Sequence, residues 1–196
     1  MLSFCTYPIE TFKGLHKSEW METMKAAHEQ YGRDFPNRDF HHEQLFAWDD
    51  CFDVLQRVLS DFPYPDFYLV FEYILHAENA CRPDVILVSS DQVFVLEFKH
   101  KEYAPEADIA QADMYGRFMS TCHVASRDKE VITCLVLTKL AAEEERMDGS
   151  LHFVSERALK KLLQERIKPP SRPLDIDAWQ KSLYEPDKNS LRIMVE

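Results

Sequence analysis

The stretch FYLVFEYILHAENACRPDVILVSSDQVFVLEFK, from Phe67 to Lys99, is the part of the chain from which the fold is read. Its β-branched and aromatic runs break at HAENAC and again at SSDQ, the pattern of three strands joined by two short turns. Glu72 lies in the first predicted strand, Asp84 opens the second, and Glu97 and Lys99 close the third. Side chains alternate along a strand, so Val93, Val95, Glu97 and Lys99 are expected on one face and Phe94, Leu96 and Phe98 on the other. A carboxylate and an ammonium leaving the end of an apolar strand together must be hydrated, paired or employed, because burying either alone is costly.

Helical periodicity flanks these strands. On the N-terminal side, Leu45, Trp48, Phe52, Leu55 and Leu59 recur at threes and fours and predict a helix over about 42–61, ended by Pro63 and Pro65. Trp48 reads as a packing anchor of that stripe. An earlier helix is predicted over 18–31, capped by Ser18, striped by Trp20, Met24, Ala27 and Tyr31, and ended by Gly32. After Lys99 come the loop HKEYAPEAD and a helix over about 107–121, in which Gln111 and Tyr115 stand one turn apart on the same face. The apolar run VITCLVLT, 131–138, suits a strand covered on both sides. An acidic loop, a short LHFV strand, a helix over 155–167 and a short helix around Trp179 complete the reading. The domain plan is an N-terminal helical extension over 1–40, a core over 41–168 and a C-terminal docking tail over 169–196. The order helix, strand, strand, strand, helix, strand places the acids on a central sheet with helices on its faces, a mixed α/β class.

Composition bounds the function. A chain of 196 residues with 45% hydrophobic residues and 4 glycines is ample for one compact core. No basic region leads into a long apolar run at the N-terminus, and no stretch approaches bilayer length, so a cytoplasmic protein off the membrane is expected. Cys5, Cys51, Cys81, Cys122 and Cys134 are odd in number and form no CxxC pair, and they read as reduced and mostly buried. His41, His42 and Glu43 are adjacent on a helix start and diverge by about 100° per residue, so a solvated helix start is the better account than a metal site. A net charge of −11 argues against a nonspecific nucleic-acid coat, which depends on Lys and Arg neutralising phosphates.

The residues nevertheless resemble a family. Glu72, then Pro83-Asp84, twelve residues, and Glu97-Phe98-Lys99 are similar to the PD-(D/E)XK nuclease superfamily, and Gln111-Ala-Asp-Met-Tyr115 resembles the Q-x-x-x-Y motif of its RecB-like and Cas4-like branch. More narrowly, these motifs with W-x-x-x-x-Y-x-P at Trp179 to Pro186 resemble the N-terminal nuclease-like domain of bacterial DNA/RNA helicases related to the Schlafen group. The resemblance covers about 42–186, and no G-x-x-x-x-G-K-[ST] is present, so ATP hydrolysis is not expected. It implies a restriction-endonuclease-like three-layer core, with Mg²⁺ or Mn²⁺ at the acids. It also implies a nucleic-acid substrate, DNA rather than RNA, and a setting such as phage defence or conflict between mobile elements.

The chemistry asks for these residue types. Asp84 and Glu97 offer hard oxygen ligands, with the Phe98 carbonyl as a third and Glu72 as a further ligand, direct or through water. Such an ion acidifies its bound water and neutralises the scissile phosphate, while Lys99 holds or deprotonates the water or meets developing charge. Without an ion the three carboxylates repel one another and any phosphate. Gln111 and Tyr115 either orient the substrate strand and the lysine or simply pack, and Arg82 either steers phosphate or pairs with an acid. His100, Lys101, Arg117 and Lys139 border a substrate groove or form a solvated surface. A second class of function stays open: a catalytically silent module that docks on a helicase or another protein. A dimer would allow a double-strand cut, but no self-complementary patch can be read.

Overall fold

A computed structural model of the chain describes residues 2–34, 42–75, 81–141 and 146–185. Strand β1 (Cys5–Pro8) leads into helix α1 (Ile9–Lys13), then α2 (Lys17–Asp34) and α3 (His42–Val58). Strands β2 (Tyr68–Phe71), β3 (Val85–Val88) and β4 (Gln92–Lys99) follow, then α4 (Glu106–Arg117), which runs on into a π-turn over Phe118–Cys122. Strands β5 (Glu130–Leu137), β6 (Arg146–Asp148) and β7 (Leu151–Val154), with α5 (Glu156–Arg166) and α6 (Ile176–Gln180), complete the order. The seven strands form one mixed sheet in the order β1-β2-β3-β4-β5-β7-β6. β1 through β4 pair antiparallel, whereas β4, β5 and β7 run parallel, the α4 crossover making the first parallel step possible.

The alternation read in QVFVLEFK holds. Phe94, Leu96 and Phe98 join α1, α2, α3 and α5 in one core, while Val93 and Val95 join Tyr115, Met119 and Trp179 in another on the opposite face. Phe12, Trp20, Phe52 and Phe71 form the aromatic centre of the first core, their ring centres 5.2 to 5.5 Å apart. On the other face, α4 reaches the sheet through Gly116, where a Cβ would fall 2.1 Å from Thr133 Oγ1. Only glycine permits that approach. Ser155 caps α5, its Oγ accepting from Ala158 N at 3.1 Å.

Several boundaries depart from the expectations. Residues 5–8, inside the predicted helical extension, are an edge strand of the sheet, and α2 runs through Gly32 to Asp34. α3 stops at Val58 rather than near 61, and α4 ends at Arg117 before the π-turn. Arg146–Asp148, placed in an acidic loop, forms the other edge strand. Glu72 lies just beyond β2 rather than within it, at φ 49° in the left-handed region. His41, Pro186 and the tail beyond it lie outside the described residues.

The segment around α6 is docked by a buried polar network. Trp179 O can only accept, so His123 Nε2 carries the ring proton and donates to it at 3.1 Å, and Nδ1 accepts the Ser126 hydroxyl at 2.7 Å. Ser126 Oγ in turn accepts from Trp179 Nε1 at 3.0 Å. At the sheet edge, Ser3 Oγ, just before β1, donates to Gln180 Oε1 at 2.8 Å and Thr6 Oγ1 of β1 donates to the same oxygen at 3.3 Å, which ties β1 to α6. None of the five cysteines is in a disulfide. Among the described residues no helix is long and apolar enough to cross a membrane.

Candidate active site

Strand register brings the acids together. Val85 stands opposite Leu96, so the next pair outward is Asp84 and Glu97, at the ends of β3 and β4. Asp84 donates its backbone N–H to Glu97 Oε2 at 3.3 Å, and its own Oδ2 accepts from Phe98 N at 2.7 Å. Among the described residues Asp84 Oδ1 receives no hydrogen bond. Lys99 Nζ donates to Glu97 Oε1 at 2.9 Å and to Gln111 Oε1 at 3.0 Å, and Gln111 Nε2 donates to the Tyr115 hydroxyl at 2.9 Å. The chain Asp84, Glu97, Lys99, Gln111, Tyr115 thus runs from one strand through the next onto α4. The i, i+4 spacing of the Gln–Tyr pair is what aims both at the lysine.

Glu72 belongs to a second layer behind this chain. Its Oε1 accepts from Trp48 Nε1 at 2.8 Å and Gln44 Nε2 at 3.0 Å, and its Oε2 meets Arg82 Nε at 3.0 Å. Its backbone N–H donates to Asp84 O at 3.0 Å, which locks the left-handed turn against the start of β3. Arg82 is enclosed, its guanidinium 4.8 Å from the Phe4 ring centre and 4.3 Å from that of Tyr31. Of the two readings of Arg82 the structure takes the pairing one, since the group is turned into the core rather than toward a substrate groove. Gln44 and Trp48 were not foreseen as site residues. The available signal was that a buried tryptophan needs an acceptor for its N–H.

Electrostatics follow from burial. Glu72 and Glu97 are each 2% exposed. Burial pushes Glu72 up to about 7 against the pull of Arg82, and raises Glu97 well above the usual carboxylate range, with Asp84 adding to the effect. Asp84 is raised by burial too, opposed by Lys99 and the Phe98 N–H. For Lys99 burial works against the charge, but Glu97 and Asp84 outweigh it and hold the amine above its ordinary value. Lys99 is therefore a cation here, a donor rather than a base. Counting Glu72, Asp84 and Glu97 against Arg82 and Lys99 leaves one negative charge without an opposite. The raised carboxyl values are that surplus as a proton meets it.

A divalent cation would answer the same surplus. Asp84 with its open Oδ1, Glu97 and the Phe98 carbonyl supply a hard-oxygen donor set at the strand ends, which suits Mg²⁺ or Mn²⁺. Among the described residues no three His, Cys, Asp or Glu side chains are already gathered as a metal cluster, consistent with Glu72 being held back by Arg82. A cavity of about 220 Å³ opens beside the group, lined among others by Gln44, Trp48, Phe98, Lys99 and His100 and, of the three acids, by Asp84 alone. A larger hollow of about 640 Å³ lies at the far end of β4 and β5, around Asp91, Lys129 and Trp179, and none of the acids of the site borders it. Chemistry, not size, picks the smaller one.

Of the residues considered for the groove, His100 lies at the lip, its Nδ1 3.0 Å from Asp50 Oδ2. Lys101 pairs with Asp108 at 2.7 Å, and Arg117 pairs with Asp113 at 2.8 Å, away from the acids. Compared with family models, curated proteins and solved structures, the chain matches none.

Proposed function

We propose that the protein is a metal-dependent phosphodiesterase of the PD-(D/E)XK nuclease type, cutting nucleic acid, DNA in preference to RNA, on a restriction-endonuclease-like core. The observation that carries this reading is the meeting of Asp84 and Glu97 across β3 and β4, with Lys99 bonded to Glu97 and braced by Gln111. When bound, Mg²⁺ or Mn²⁺ would neutralise charge at the scissile phosphate and acidify a water. Asp84, Glu97 and the Phe98 carbonyl would hold it. Lys99 has three N–H groups, two of them committed to Glu97 and Gln111, and the third, with Asp108 Oδ1 4.0 Å from the amine, would be the one to meet a phosphate oxygen. Gln111 fixes where that amine sits, and Tyr115 fixes Gln111. Trp48, Gln44 and Arg82 hold Glu72 in place near the ligands without letting it crowd them.

The test is cleavage of labelled single- and double-stranded DNA and RNA in Mg²⁺ or Mn²⁺ by the wild type, Glu97→Gln and Lys99→Met. Cutting that needs the ion and disappears in both variants supports the reading, and cutting that survives in both sinks it. The full set of partners around Glu72 favours the second reading, a silent docking module for a helicase or other protein. Under that reading neither Mg²⁺ nor Mn²⁺ brings cleavage or a stabilisation that Glu97→Gln removes.

A further inference from the structure

Phe46 stands on the water side of its helix. Positions 46, 50, 53 and 57 of α3 share a face and carry Phe46, Asp50, Asp53 and Arg57, whereas Trp48, Phe52 and Leu55 point into the core. Phe46 is 56% exposed. No packing requirement calls for an aromatic ring there, and a charged side chain would serve the helix as well. Its ring centre lies 4.7 Å from that of His100, edge to face at 89°. His100 follows Lys99 directly and lines the cavity that also takes in Asp84. From behind, Asp50 Oδ2 holds His100 Nδ1 at 3.0 Å and accepts the Thr138 hydroxyl at 2.6 Å. The ring pair is anchored at the lip of the candidate active site.

Charge decides what such a lip can bind. Lys99 is engaged by Glu97 and Gln111, and Lys101 by Asp108, in a chain of net charge −11. Phosphate neutralisation therefore contributes little, and a duplex presents mainly phosphate, its base faces being stacked inside. An unpaired base offers a π-face, and stacking on an aromatic ring needs neither sequence nor counter-charge. We infer that Phe46, braced by His100, is a base-stacking platform, and that the site takes single-stranded nucleic acid. This rests on the phosphodiesterase reading and narrows its substrate class.

Stacking is read without turnover. A short single-stranded DNA bearing 2-aminopurine is titrated with the whole chain in EDTA, then in Ca²⁺, alongside the same sequence as a duplex. The expected result is fluorescence quenching and binding of the single strand, weaker by roughly five- to hundredfold in Phe46→Ala and recovered in Phe46→Tyr. The slope of log affinity against log salt is expected no steeper than about −1.4, the value for two phosphates neutralised on a single strand. Equal affinity of wild type and Phe46→Ala for the single strand overturns the inference, as does tighter binding of the duplex or no binding of either. Cleavage in Mn²⁺ is scored separately. Quenching without any cleavage would sink the hydrolytic reading and leave the platform standing, whereas cleavage unaffected by Phe46→Ala would do the reverse.

Discussion

Asp84 and Phe98 are joined across two strands by a backbone-to-carboxylate hydrogen bond of 2.7 Å, which fixes one oxygen of Asp84 and leaves the other open beside Glu97. The arrangement holds a buried negative charge in place at a cost to folding. In EDTA, Asp84→Asn is expected to be as stable as the wild type or more so, by about 1–2 kcal/mol, because it removes the unpaired surplus. In Mg²⁺ or Mn²⁺ the order reverses: the wild type gains about 2.7 kcal/mol at an ion concentration one hundred times Kd, and the variant gains nothing. Thermal denaturation of both proteins with and without ion checks the crossing.

Lys99 is placed by Gln111, and Gln111 by Tyr115. Lys99→Met is expected to lower kcat by about a hundredfold or more, the usual cost of a preorganised donor. Gln111→Ala should lower kcat about tenfold with KM nearly unchanged, and Tyr115→Phe less than that. Single-turnover cleavage at saturating substrate separates the three.

His123 is enclosed, with Trp179 O and the Ser126 hydroxyl as the partners of its two ring nitrogens. Burial lowers its pKa from 6.5 to about 4. The unfolded chain then binds the proton first as pH falls, so stability is full above about 6.5 and drops by about 3 kcal/mol between there and about 4. Glu72 works in the opposite sense. Its folded value of about 7 lies above the ordinary 4.5, so its contribution is full below 4.5 and is lost as pH rises through 7. Urea denaturation of the wild type and His123→Asn across pH 4 to 7 isolates the first slope: the variant should start less stable at pH 7 and lack it.

Gly116→Ala would drive a methyl to 2.1 Å from Thr133 Oγ1, and α4 must then lift from β5. A loss of about 2–3 kcal/mol is expected, with reduced activity because Gln111 and Tyr115 ride on the same helix. Thr133→Ala in the same molecule should recover part of it, since the hydroxyl is the nearest obstacle. A double-mutant cycle measures the coupling.

The central strands and the faces of β4 were legible because apolar alternation is local, and every residue of QVFVLEF is buried. The pairing of Asp84 with Glu97 was legible for the same reason, a short turn fixing their register. The edge strands were not. CTYP is only partly buried and RMD is fully exposed, so neither carries the hydrophobic pattern that marks a strand. Glu72 illustrates a different limit: its partners Trp48 and Gln44 lie 24 and 28 positions away, and no periodicity connects them to it. Arg82 is turned inward by Phe4 and Tyr31, which arrive from the first strand's approach and from α2.

The bond between Ser3 and Gln180 spans 177 positions. On a ribosome adding about 5–20 residues per second, roughly 9 to 35 s separate the synthesis of Ser3 from that of Gln180. Until then the edge strand β1 lacks its tie to α6. That one join can close only after Gln180 is made, so a nascent chain stalled short of it would carry β1 as an edge held by β2 without α6.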